Sequence, residues 1–258
     1  MNEVKDRVFL NLKYFNLVMF FVHISQVFLM LYLSNNFSLP ITYSYPEFDP
    51  NTMTISPVSD TLFDIKIGPM VALFMFISAA AHLLISTFLY ERYVKHLKNG
   101  MNPYRWYEYS LSASLMIVII AMLTTIYDFG TLLALFVLTA IMNLMGLMME
   151  LHNQTTEKTN WISYIIGCIA GIVPWIVIFS SLIGGIINSE GSVPDFVIYI
   201  FITIAIFFNC FAINMFLQYK KIGKWKDYLY GEKIYIILSL VAKSALAWQV
   251  FAGTLRPA

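Results

Sequence analysis

The apolar positions of the chain fall into seven long runs, at 8–33, 68–90, 103–127, 131–151, 161–187, 194–217 and 231–254, with short polar stretches between most of them. A helix needs about 20 largely apolar residues to cross a bilayer, so the pattern predicts seven transmembrane helices. The first run is too long for a cleavable signal peptide and has no small-residue cleavage site, so it is expected to act as the first span. Asn102-Pro103 reads as an N-cap followed by proline at the first helical position, and Ser192-Val193-Pro194 repeats the theme. One connection, 34–67, is long. Its pieces Ile41–Tyr45 and Thr52–Ser56 flank the turn-forming Pro46–Asn51, which predicts a short β-hairpin over the alternative of an irregular loop. The remaining connections are short, so most spans should be antiparallel neighbours. No internal repeat is evident. The expected fold is an all-α membrane protein: one transmembrane domain over 1–258, a seven-helix bundle carrying a hairpin.

Composition agrees. Apolar residues make up 59% and charged residues 12%, against about 25% charged in soluble domains. That excludes a disordered chain, a nucleic-acid-binding tail, a collagen, a disulfide scaffold and an ordinary soluble enzyme. Cys168 and Cys210 both lie in apolar runs and suggest no disulfide framework. Net charge is +1 and names no partner, but its distribution sets orientation. Of the 16 Lys and Arg, 13 fall on the N-terminal side of the membrane, Lys66 and Arg256 on the other, and Lys243 inside a span. The positive-inside rule then places the N-terminus in the cytoplasm and the C-terminus and hairpin outside.

Lys243, near the middle of the seventh span, is the sharpest chemical signal, because an intramembrane charge costs at least about 2.5–3.5 kcal/mol. One reading is a structural ion pair or a carbonyl-bound lysine. The other is a covalent imine with an aldehyde, since a lysine in a dry place loses its charge readily. A cationic imine needs an anion, and Glu108, early in the third span, is the best candidate; Asp128 and Glu150 lie at span ends and read as solvated. At 1.5 Å per residue the two depths differ by about 10 Å. The lean of helical side chains toward their own N-terminus and helix tilt have to close that gap. Ser239 precedes Lys243 by four residues and Ser112 follows Glu108 by four, so each shares a face with its partner. His23, Gln26, Ser78 and His82 form a candidate polar cluster, whereas His96 and His152 read as solvated. No His-x-x-x-His or Cys-x-x-Cys spacing suggests a metal. Trp106, Tyr107 and Tyr109 read as an interfacial belt; Trp175, Phe207, Phe208 and Trp248 suit either a chromophore slot or an ordinary core. Gly167-x-x-x-Gly171 permits close helix approach, with dimerisation as one use.

Two strings are more specific. Ser239-Leu240-Val241-Ala242-Lys243-Ser244-Ala245-Leu246-Ala247-Trp248-Gln249 resembles the seventh helix of the heliorhodopsins, and Arg105-Trp106-Tyr107-Glu108-Tyr109-Ser110 resembles their third-helix motif. The inverted orientation and long first outer loop also agree, and the resemblance covers essentially the whole chain. Ser239 stands where type-1 pumps carry an Asp, and Glu108 replaces their third-helix acid. The resemblance implies all-trans retinal on Lys243 as a protonated Schiff base, with Glu108 as counterion and Ser239 and Ser112 hydrogen-bonding nearby. It further implies a water-filled cavity at His23, Gln26, Ser78 and His82, and a pocket that includes Met142, Trp175, Phe207 and Trp248. It implies isomerisation to 13-cis, a slow photocycle without pumping, and a homodimer built through the fourth and fifth spans and the hairpin. Two alternatives stay open: a light-driven or light-gated proton transporter, for which the outer half offers little beyond Asp128, Asn209 and Asn214, and a retinal-free transporter. The basic loop 220–226 suits topology and anionic lipid, or docking of an unknown cytoplasmic signalling partner. No nucleic acid and no enzymatic activity are expected.

Overall fold

The computed structural model describes residues 2–188 and 194–256, with backbone alone for 2–6. The Ser192-Val193 part of the sixth-span start and the Lys5 side chain lie outside the described residues. The elements run α1 (Asn2–Leu33), β1 (Ser38–Asp49), β2 (Thr54–Lys66), α2 (Ile67–Ser86), α3 (Tyr90–Lys98), α4 (Pro103–Leu123), α5 (Phe129–His152), α6 (Ile162–Asn188), α7 (Asp195–Tyr219) and α8 (Tyr228–Val250). All the helices but α3 are long and apolar enough to span a membrane, seven among the described residues. Sequential helices pack as neighbours: α1 on α2, α4 on α5, α5 on α6 and α7 on α8, with α2 also against α4.

Local chemistry sets the ends. The Asn102 side chain accepts from the Arg105 N–H at 3.3 Å with Pro103 behind it, as the sequence predicts. Asp128, read as a solvated acid, is the N-cap of α5 and accepts from the Thr131 N–H at 2.8 Å. The second apolar run does not continue to 90. Ser86 and Thr87 donate back to the carbonyls of His82 (2.5 Å) and Leu83 (2.6 Å), competing with the helix ladder, and the chain turns into α3. That short helix buries Tyr93 and Leu97 against Phe9, Leu12 and Ile236. The third run likewise stops early, at Leu123, where Thr125 adopts a left-handed φ of 67°.

The hairpin is present and longer than expected. Its register runs from Ser38 opposite Lys66 to Asp49 opposite Thr54, with an irregularity at Ile41/Thr42. The turn is therefore 50–53 rather than 46–51. Pro46 sits inside the ladder opposite Pro57, because a two-stranded ribbon has an open edge on each strand where a missing N–H is tolerated. Asp49 organises the turn, accepting from the Asn51 N–H (2.8 Å) and the Thr52 hydroxyl (3.0 Å). These bonds hold its carboxyl below the ordinary range. The ribbon is fastened to the bundle: Ile41 is buried in the main core, the Thr42 N–H donates to Tyr127 O at 2.9 Å, and Asn35 donates to the carbonyl of Thr254 at 2.9 Å.

The main apolar core takes in Ile67–Met75 of α2 and Met116–Met122 of α4, together with Leu246 and Val250 of α8. A second cluster, around Trp106, Tyr109 and Tyr235, lies at the opposite end of α4. Along α4, Glu108 falls within the second cluster and Ser112 between the two. The two glycines of Gly167-x-x-x-Gly171 serve packing within the chain. A Cβ at Gly167 meets Met145 at 3.1 Å and one at Gly171 overlaps the Met142 sulfur, so the pair seats α6 on α5.

Candidate functional site

Lys243 reaches Glu108. Its Nζ lies 2.7 Å from Glu108 Oε1 and 2.8 Å from Ser239 Oγ, and both ion-pair side chains are buried. The depth mismatch closes as side-chain direction demands: the lysine folds back toward the start of α8, where Ser239 lies one turn earlier. The hydroxyl donor on Glu108 Oε1 is Ser78, at 2.7 Å. The sequence grouped Ser78 with the histidines; it connects α2 directly to the carboxylate. Ser112 is fully buried one turn along α4. Tyr109, read as an interfacial residue, is buried and lies with its ring 5.0 Å from the Lys243 ammonium.

The two histidines meet. Their rings stack at 5.7 Å and 11°, and His82 Nδ1 lies 2.7 Å from Asn16 Oδ1, a partner the sequence reading did not pick out. Both His23 nitrogens are buried and have no hydrogen-bond partner among the described residues. Gln26 sits elsewhere, accepting from the Trp248 indole at 3.1 Å beside an open groove between α1 and α8.

An apolar cavity opens beside the Lys243 amine, lined by Tyr109, Met116, Met142, Phe208 and Phe211 among others. Met142 lines it, with its side chain pressed against Gly171. Phe208 and Phe211 occupy the lining; Phe207 packs on the main core, and Trp175 stands behind Phe208 with ring centroids 5.4 Å apart. Trp248 packs on the core at the Gln26 side.

The largest departure from the sequence reading is a second buried charge cluster. Glu150 is 1% exposed rather than solvated. It pairs with Arg105 at 2.5 Å and also accepts from the Trp106 indole (2.8 Å), the Asn102 N–H (2.8 Å) and the Tyr228 hydroxyl (3.0 Å). Arg105 also pairs with Glu232, and its guanidinium lies 3.9 Å from the Tyr235 ring centroid. Arg105 is therefore a core cation as well as a positive-inside residue, and only Tyr107 of the third-span aromatics faces outward. Breaking such a buried pair typically costs about 3–5 kcal/mol. Tyr93 of α3 donates to Glu232 at 3.1 Å; burial, then the neighbouring carboxylate, pushes its phenol well above the ordinary range. What hid the cluster is position. Arg105, Glu150 and Glu232 each lie within a turn or so of a span end, where charges are usually wet.

The heliorhodopsin family model matches residues 12–255, nearly the whole chain. The chain belongs to the heliorhodopsin family. Comparison with curated proteins finds no match. Membership makes this heliorhodopsin-family chain a rhodopsin-type, multi-pass membrane protein, one whose family works by retinal-based light sensing rather than as a classical enzyme. Seven membrane-capable helices and a two-stranded antiparallel sheet agree with that fold.

Proposed function

We propose that the protein is a light-sensing photoreceptor of the cell membrane, in which Lys243 holds all-trans retinal as a protonated Schiff base and Glu108 is the counterion. The observation that carries this reading is the buried Lys243–Glu108 contact of 2.7 Å at the mouth of an apolar cavity. The cavity's lining of Met and aromatic side chains suits a polyene, and the amine stands at the polar end.

Retinal supplies the absorption of light and the all-trans to 13-cis change. The residues do the rest. Glu108 holds the proton on the Lys243 nitrogen by its charge, and Ser78 fixes the carboxylate through Oε1. Ser239 keeps the lysine turned toward α4, with Ser112 buried alongside. His23 and His82 offer ring nitrogens next to the ion pair to take or relay a proton. Met142 bounds the chromophore directly. Trp175 backs Phe208, while Phe207 and Trp248, with Gln26, support the pocket from the surrounding core.

The whole chain, 1–258, acts as one domain with its N-terminus in the cytoplasm, and the photocycle is slow and moves no net charge across the membrane. Among the described residues no continuous relay of carboxylates toward the hairpin side supports pumping, since Asp128 is occupied as a cap. Expression with all-trans retinal should give a visible pigment, and illumination of those cells in unbuffered medium should leave the pH unchanged with or without a protonophore. A colourless protein refutes the photoreceptor reading; a protonophore-sensitive pH change establishes transport instead.

We also propose a homodimer with an unknown cytoplasmic signalling partner. The hairpin exposes Tyr43, Phe48, Ile55, Leu62 and Phe63 outside the bundle, more apolar surface than a free ribbon keeps in water. The mass of the detergent-solubilised protein should be that of two chains, and deletion of 44–60 should reduce it to one.

A further inference from the structure

The second charge cluster does not balance. Arg105 faces two carboxylates, Glu150 and Glu232, all three side chains at most 4% exposed. Two carboxylates and one guanidinium leave an excess negative charge in the protein interior, which is strongly unfavourable unless a proton removes it. The hydrogen bonds show which acid takes that proton. Glu150 receives four donors, two on each oxygen: Arg105 Nη2 and the Tyr228 hydroxyl on Oε1, the Asn102 N–H and the Trp106 indole on Oε2. An ionised carboxylate has about four acceptor sites, so Glu150 is filled as an anion. Glu232 receives Asn102 Nδ2 (2.7 Å) and Tyr93 Oη (3.1 Å) on Oε1, and Arg105 Nη1 alone on Oε2. One acceptor site on Oε2 is left for a proton.

Glu232 also faces the photoreceptor site. One polar-lined cavity is shared by Glu232, Asn102, Asn16, His82, Glu108 and Ser239. Glu108 and Ser239 are the two groups bonded to the Lys243 amine. We infer that Glu232 is a proton store for the Lys243 nitrogen: it holds one proton in the resting protein and delivers it through this cavity. When the nitrogen has passed its proton to the His23–His82 pair, the Glu232 carboxyl releases H⁺ and becomes a carboxylate, the nitrogen takes up H⁺, and the proton held on the histidines then returns to Glu232. The ionisable groups around Glu232 are Tyr93 from α3, Tyr104, Arg105, Glu108 and Tyr109 from α4, Glu150 from α5, His82 from α2 and Tyr228 and Tyr235 of its own helix. Arg105 and Glu150 form the pair that makes the Glu232 proton necessary.

The delivery step rests on the photoreceptor reading; the stored proton does not, so the test has two arms. In the ligand-free protein at neutral pH, infrared spectroscopy should show the carbonyl stretch of a buried protonated carboxyl. Glu232→Gln should remove it. Glu150→Gln should also remove it, because Arg105 then faces Glu232 alone and ionises it, whereas Glu108→Gln should leave it. Absence of the band in the unmodified protein, as follows if a cationic His82 balances the charge instead, overturns the inference without any variant having to fold. So does its survival in Glu232→Gln. In the retinal-loaded protein, Glu232→Gln should form pigment of unchanged colour but recover the protonated state after a flash about 10²-fold more slowly, the scale of a lost general acid. Unchanged recovery overturns the delivery role. A colourless unmodified protein defeats the photoreceptor reading, and with it delivery, while the infrared arm still decides the stored proton.

Discussion

Lys243→Ala should leave the protein colourless in all-trans retinal at any pH, a complete loss rather than a weakened band. The amine is the sole buried lysine nitrogen among the described residues, it stands at the mouth of the apolar cavity, and an imine forms only on a primary amine. The substitution also strips Glu108 of its ion-pair partner, leaving a buried carboxylate that still accepts from the Ser78 hydroxyl. Loss of colour from Lys243→Ala alone therefore mixes lost chemistry with lost stability. Lys243→Arg separates them, because it keeps a cation opposite Glu108 and cannot make an imine. The expected result is an absorption spectrum without a visible band for both variants, with thermal unfolding of Lys243→Arg closer to the unmodified protein. A visible pigment in either variant places the attachment elsewhere.

How much of this site was legible in the sequence depends on which forces set each part. The spans were legible because the bilayer demands length and apolarity from every one of them, and the seventh-helix string around Lys243 carried the family. Lys243 and Glu108 were legible because a charge within an apolar run is conspicuous. Their contact was not deducible from depth, since counting residues along two helices ignores the backward lean of a lysine that binds Ser239 one turn earlier. The hairpin was legible in kind but not in extent: proline in a central strand ends pairing, whereas in a two-stranded ribbon Pro46 and Pro57 pass opposite each other. The short helix α3 was hidden because Thr87-Phe88-Leu89 stays apolar while the hydroxyls of Ser86 and Thr87 end α2. The Arg105–Glu150–Glu232 cluster was hidden most completely. Each member alone matches a solvated helix end, and only the packing of α4, α5 and α8 reveals that they share one buried site. Asn102, recognised in the sequence as a cap, also spends its N–H on Glu150 and its amide on Glu232, contacts that only the packed helices supply.

Glu108→Gln tests the other half of the ion pair and should change both the colour of the pigment and its response to pH. The carboxylate lies 2.7 Å from the lysine nitrogen in a buried setting, so its charge acts with little screening. A close anion holds positive charge near the nitrogen. With glutamine there, that charge spreads along the polyene, and the absorption band should move to longer wavelength. The same anion favours the protonated nitrogen, and an opposite charge at this range typically contributes about 1–3 pH units. The sign follows directly: a cationic group that loses its anion releases its proton at lower pH. Titration of Glu108→Gln should therefore convert the visible pigment to its unprotonated, short-wavelength form roughly 1–3 pH units below the unmodified protein. Glutamine preserves the shape and the Ser78 hydrogen bond, so a shift reports charge rather than collapse of the pocket, and Glu108→Asp should restore part of both effects. If Glu108→Gln leaves the spectrum and the titration where they were, another anion neutralises the nitrogen. The candidates nearest in the structure, Glu232 across the polar cavity and its partner Glu150, then become the next substitutions to make.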